Sequence, residues 1–163
     1  MPVSSSPVEA KRDNDLLSLA LKLVRRHRGM TAAEVASAMR MPLRTYERFE
    51  AGGSRLNIDY VHRFAIATNS DPYAIIMAVA IGSPELAPRC ADNKLITILT
   101  VGSQRFDHVL GDRIYHLEAR AVIATVCDMF DDLVAHSDEQ QLATRWLKRG
   151  VADLSSVRPK PGR

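Results

Sequence analysis

Between Asn14 and Ile81 the chain is a succession of short apolar helical patterns, each closed by a stop signal and reopened by a start signal. Leu16, Leu17, Leu19, Ala20, Leu23 and Val24 repeat at helical spacing and run out at Gly29. Thr31, with Glu34 three residues on, has the form of a capping box. It predicts a second helix that turns Val35, Ala36 and Met39 inward and ends near Arg40. Pro42 suits the first position of a third helix, where its missing N–H is not needed. Tyr46 and Phe49 share one face of that helix, and Gly52 and Gly53 stop it. Asn57 caps a fourth, with Val61, Phe64 and Ala65 inward. Asp71 and Pro72 open a fifth, with Ile75, Ile76 and Val79 inward. Helices this short draw their stability from packing on one another. The expected fold class is all-α, with a five-helix head over residues 13–82.

The remainder is less tightly punctuated. Residues 1–12 are rich in Ser and Pro and read as a flexible arm. "GSPELAPRCADN" carries several turn-prone clusters, so 83–92 reads as a linker. Asp92 or Asn93 can then cap a segment in which Leu95, Leu99, Gly102, Phe106 and Leu110 keep a helical period. "LITILTV" is β-branched enough to form a strand instead, so 93–101 is either helix or strand. Leu117 to His136 is a clear helix, with Val122, Val126, Phe130 and Leu133 in register. Ser137 or Asp138 caps a last one, ending at Gly150. Residues 93–150 thus form a C-terminal helical extension, and 151–163 a disordered basic tail.

Composition removes several classes of function. A hydrophobic content of 46% supports a real core. Cys90 and Cys127 lack CxxC partners, so neither a disulfide framework nor a structural zinc site follows. The N-terminus has no apolar core of signal-peptide length. The longest apolar run, "AIIMAVAI", is eight residues, against the roughly 20 that span a bilayer. The chain therefore reads as cytoplasmic, with no membrane partner. His27, His62, His108, His116 and His136 have no metal-binding spacing. Asp128, Asp131 and Asp132 form an acidic helix face. There is no Gly-rich phosphate loop and no nucleophile in a catalytic setting. Neither an enzyme, a cofactor nor a metal is expected. The net charge is only +3, yet Lys22–Arg63 holds 9 Lys/Arg against 4 Asp/Glu. A local excess of this kind is the footprint of a phosphate-binding surface.

The tight helix pair "TAAEVASAMRMPLRTYERFEAGG", with "RRHRGMTAAEVASAM" before it and "NIDYVHRFAIATNSDPYAI" after it, resembles the helix-turn-helix of the XRE family, the phage Cro and C1 repressor type. The resemblance runs from about Leu16 to Ile81. It implies a bacterial, sequence-specific regulator of transcription that binds double-stranded DNA as a homodimer, within the nucleoid. It also implies roles for residues. Leu43, Arg44, Glu47 and Arg48 would face base edges in the major groove. Arg bonds guanine O6 and N7 in a bidentate manner. Leu43 would touch a thymine methyl, and Glu47 would either accept from cytosine N4 or hold an Arg in position. Thr31, Ala32, Thr45, Arg55, Asn57 and Tyr60 would contact phosphates. Arg26 and Arg28 would reach the DNA backbone or remain solvated. Arg25 and Glu50 match positions of a buried ion pair. Two positions depart from the pattern. Arg40 stands where the family has a turn glycine, and a left-handed Arg costs about 1 kcal/mol or more. Met41 replaces the usual Ser or Thr cap.

Residues 83–163 hold 11 Lys/Arg against 11 Asp/Glu, so the extension does not look like a second DNA-binding module. Its apolar faces suit self-association across Leu95–Leu133, or a contact between residues 93–150 and RNA polymerase or another regulator. Trp146 is a packing or interface anchor. The run "CADNKLITIL…LGDRIYHLEAR" resembles small alphaproteobacterial activators of gene transfer agent clusters, which implies activation of a phage-like gene cluster. The alternative function is an antitoxin or adaptor that works mainly through its C-terminal helices.

Overall fold

The computed structural model describes residues 7–53 and 56–157, and every element of regular structure among them is helical. The helices are α1 Pro7–His27, α2 Ala32–Ala38, α3 Leu43–Glu50, α4 Ile58–Ala67, α5 Pro72–Ala80, α6 Leu86–Arg89, α7 Leu95–Leu110 and α8 Ala119–Val157, with a 3₁₀ segment Gly111–His116 before α8. The chain divides into two compact units between Val109 and Leu110.

In the first unit α1 is the central strut, packed against α3, α5 and α6, while α2 lies against α3 and α4. Leu17, Ala20, Leu21 and Val24 of α1 meet Val35, Ala36, Met39, Tyr46, Phe49, Val61, Phe64 and Ile75 in one core. The capping chemistry accounts for the boundaries. Thr31 and Glu34 make both halves of the capping box on α2, Asn57 caps α4 and Asp71 caps α5. All of the first five helices end alike. The residue at the stop is left-handed: Gly29, Arg40, Gly52, Asn69 and Gly82. In each case its N–H and the next one bond back into the last turn, as Gly52 does to Phe49 and Gly53 to Arg48. Glycine is needed at Gly52 on two counts, since φ is +72° and a Cβ there would lie 2.5 Å from the Asn14 carbonyl oxygen.

Several expected boundaries shift. α1 begins at Pro7, inside the segment read as an arm. Proline is tolerated in a first turn, and Glu9 there complements the helix dipole. The segment read as a linker, 83–92, is packed: α6 lies in it, against α1 and α5, and Ala87, Cys90 and Ala91 are buried. Residues 95–101 are helix, not strand. Asn93 caps α7 through Leu95 N–H at 2.9 Å, and the hydroxyls of Thr100 and Ser103 bond back to Ile96 and Leu99. Ile96 is buried, and Leu95 and Leu99 pack with it beside Ala74 and Cys90, so α7 starts on the head. Ser137 and Asp138 begin no new helix and Gly150 ends none. α8 runs on from Ala119 to Val157, taking in part of the expected tail. At 1.5 Å per residue it is about 58 Å long.

Asp71 ties α7 to α5. Fully buried, its carboxylate accepts from the N–H groups of Tyr73 and Ala74 at 3.0 and 3.1 Å. It also accepts from the N–H groups of Ile96 and Thr97, both at 3.0 Å, and from the Thr97 hydroxyl at 2.7 Å. One side chain caps two helices. Asp71→Ala is expected to lower stability by about 2–4 kcal/mol, twice the ~1–2 kcal/mol of a strong single cap, as read by chemical denaturation of the full chain. Asn57→Ala supplies the single-cap comparison, and an Asp71→Ala loss no greater than that one would contradict the double role.

Candidate nucleic-acid interface

The position of α3 is fixed from both ends. At its start, Arg40 takes a left-handed φ of +52°. The N–H groups of Arg40 and Met41 bond back to Ser37 and Ala36, each at 3.0 Å. An Arg guanidinium braces this turn from outside: Arg63 of α4 donates to the carbonyl of Met39 and lies 5.7 Å from the centre of the Tyr60 ring. Pro42 (φ −59°, ψ 140°) is the residue before the helix rather than its first member, and supplies no side-chain cap. On the inner face, Tyr46 stacks on Phe64 at 6.5 Å and Phe49 meets the edge of Tyr60 at 5.5 Å.

At the far end, buried Glu50 and its partner Arg25 tie α3 to α1 and to the turn before α2. Arg25 donates from Nε to Oε1 at 2.6 Å and from Nη2 to Oε2 at 3.2 Å, and from Nη1 to the Met30 carbonyl at 3.2 Å. The Tyr46 hydroxyl donates to Glu50 Oε1 at 2.8 Å. The bond to Glu50 raises the pKa of Arg25, against the effect of its own desolvation. Burial, and next the Glu50 carboxylate, push that of Tyr46 upward, so the phenol stays a donor.

Packing Tyr46, Phe49 and Glu50 inward turns Leu43, Arg44, Thr45, Glu47 and Arg48 to solvent. Among the described residues none of Arg44, Glu47 and Arg48 takes part in an ion pair. The flanking residues divide. Thr31 is engaged by Glu34: its N–H and hydroxyl both donate to Oε2, at 2.7 and 2.8 Å. The Thr31 N–H, then the hydroxyl, hold the Glu34 carboxyl below its ordinary range. A carboxylate thus occupies part of the place expected for a phosphate, and the box leaves only the N–H groups of Ala32 and Ala33 in that turn. Asn57 uses Oδ1 to cap Tyr60 N–H at 3.2 Å, which leaves its amide NH₂ as the group able to reach a phosphate. Tyr60 is half-buried, its ring committed to Phe49 and Arg63. Arg55 lies outside the described residues. Arg26 is exposed. Arg28 is structural: it donates to the carbonyls of Thr68 and Asn69 at 2.9 and 2.7 Å and to Asp92 at 2.7 Å.

Arg63 was not singled out by sequence reasoning. Its role depends on α4 crossing the α2–α3 turn, which no local pattern announces. Among the described residues there is no cluster of His, Cys, Asp or Glu able to hold a metal ion, and no helix is long and apolar enough to cross a membrane. No protein-family model, curated protein or solved structure matches this chain.

Arg25→Ala leaves Glu50 buried without its cation and is expected to cost about 3–5 kcal/mol. Tyr46→Phe removes one bond to the same carboxylate and should cost about 1.5–3 kcal/mol. Thermal and denaturant unfolding measure both. An Arg25→Ala chain that melted with the wild type would show that the pair does not hold α3.

Proposed function

We propose that the chain is a sequence-specific regulator of transcription that binds double-stranded DNA as a homodimer. The observation that carries this reading is the outer face of α3. A helix anchored by two aromatic rings and a buried ion pair presents Leu43, Arg44, Glu47 and Arg48 to solvent, with both guanidinium groups outside any ion pair among the described residues. A helix fits the major groove, and residues of its first turns come nearest the base edges. Residues Lys22–Arg63, with 9 basic against 4 acidic side chains, would supply the sequence-independent attraction to phosphates. Thr45, the Ala32 N–H, the Asn57 amide and Arg55 are the groups we assign to phosphate contact.

Each half-site then contains at least one G read by Arg44 or Arg48. Arg44→Ala and Arg48→Ala are each expected to lose about 1–3 kcal/mol of discrimination at one base pair per half-site. Arg55→Ala should weaken all sequences alike and lower the salt slope by about one charge per subunit. Titration of the variants against a selected site and its single-base mutants measures these effects. Full base preference in both α3 variants would remove α3 from the groove.

A second reading rests on a separate observation. α8 exposes Val122, Val126, Phe130, Leu133, Leu142 and Trp146, more apolar surface than a solvated helix needs. An antitoxin or adaptor would use this surface and not α3. In that case the α3 variants behave as wild type and partner binding follows the C-terminal helices. The resemblance of Cys90–Arg120 to gene transfer agent activators favours a regulator of a phage-like cluster that meets RNA polymerase or another regulator through residues 93–150.

A further inference from the structure

Val122, Val126, Met129 and Leu133 of α8 follow a repeat of seven, with Ile123, Phe130 and Trp146 beside that seam and Val134 and Leu142 off it. We propose that α8 is one strand of a parallel, in-register two-stranded coiled coil formed with a second copy of this chain. Val126 and Leu133 occupy one core position of the repeat, with Gln140 and Leu147 continuing it. Val122 and Met129 occupy the other, continued by His136 and Ala143. Val122, Val126, Met129 and Leu133 are each 36% to 46% exposed in the single chain. This alternation of four and three residues is what winds two helices about each other.

Charge placement names the occupant. Asp131, Asp138 and Arg145 fall at the position opposite the seam, and Asp128 beside them. No Asp, Glu, Lys or Arg occupies a seam position from Val122 to Leu147. Asp132 and Glu139 flank the seam, and in a parallel in-register pair they lie opposite Ser137 and Thr144 of the other copy, so two identical seams approach without like-charge repulsion. The seam is about 38 Å long on a helix about 10 Å wide.

Direction follows from the layers together with the charges that flank them. In a parallel in-register pair every layer meets itself: Val122, Val126, Met129 and Leu133 form four apolar layers, and His136 and Gln140 two polar ones. Gln140 faces Gln140 of the other copy, and their amides can bond to each other. An antiparallel pair centred on the apolar stretch leaves Leu147 without a partner layer. One centred on Gln140 sets Val122 and Val126 against residues beyond Arg149, and one centred between Leu133 and His136 pairs all eight layers but sets Asp132 beside Glu139 of the other copy. A polar side chain at a single core position fixes register and strand number at some cost in stability. Parallel strands also bring both α8 N-termini to one end of the coil. This inference deepens the dimeric part of the proposed function and does not depend on DNA being the ligand.

The test uses the full chain without DNA, in a Cys127→Ser background, because Cys127 is exposed and Cys90 is buried. Sedimentation is expected to show a dimer. Gln140→Cys should cross-link to its twin under mild oxidation, and Asp138→Cys, on the outer face, should not. Leu133→Glu buries a carboxylate against its copy and should raise the dimer dissociation constant at least about a hundredfold, with the melting of the head unchanged. A monomeric wild-type chain, equal cross-linking at positions 138 and 140, or an unaffected Leu133→Glu dimer would each overturn the proposal. DNA retention, measured separately, judges the other reading. A dimer that ignores DNA sinks only the DNA-binding role, and a monomer that still binds DNA sinks only the coiled coil.

Discussion

The buried carboxylate of Glu50 is the contact on which the placement of α3 depends. Taking a carboxylate and a guanidinium out of water is costly, and the attraction between them offsets this only when geometry is good and the remaining bonding positions are filled. Here Arg25 comes from α1, Tyr46 from the preceding turn of α3, and the Met30 carbonyl from the approach to α2. These partners converge only if α3 is rotated and seated as observed. A helix slipped by one residue would bury an acid without its cation. The pair acts less as a source of stability than as a filter against other arrangements of the same apolar faces. What it specifies is the orientation of the outer face of α3.

Most of the head was legible because helix ends are local chemistry. Thr31 with Glu34, Asn57, Asp71 with Pro72, and the glycines at 29 and 52 act on residues within a turn of themselves, so sequence neighbours suffice to read them. The misreadings have one cause. A residue able to cap does so only if the backbone leaves the helix there. Between Ala119 and Arg149 there is neither a glycine nor a proline, so Ser137 and Asp138 are carried through α8 as ordinary members. Conversely Pro88 did not prevent α6, because in a helix of four residues its missing N–H falls among donors that have no partner within the helix anyway.

The candidate interface was legible to a similar depth. The outward residues of α3 follow from its period once Tyr46 and Phe49 are inside. The flanking residues do not, since their fate is decided by distant neighbours. Arg28 is separated by 40, 41 and 64 positions from the residues it holds, and it reads as a solvated cation until those partners are in place. Tyr60 and Asn57 are partly committed to packing and capping before any ligand arrives. Arg40 was readable as an anomaly, and its left-handed conformation is found. What compensates it, Arg63 on the adjacent carbonyl, was not.

The double cap at Asp71 bears on how such proteins exchange parts. If the head ended at Ile81, recombination could attach any following segment there and leave the head intact. It does not end there. α6 fills the side of α1 and α5, and the first turn of α7 supplies Ile96 to the core and two N–H groups and a hydroxyl to Asp71. A joint before Ile96 would strip these and leave a carboxylate exposed to solvent competition at the start of α5. Fusions and natural shuffling are thereby confined to the outer half of α7, from Gly102 onward, where side chains face solvent. Two of the three bonds that α7 gives Asp71 come from backbone N–H groups, so the fit between the two segments lies in where α7 starts, and the Thr97 hydroxyl is the one side chain there that loses its acceptor when Asp71 is changed.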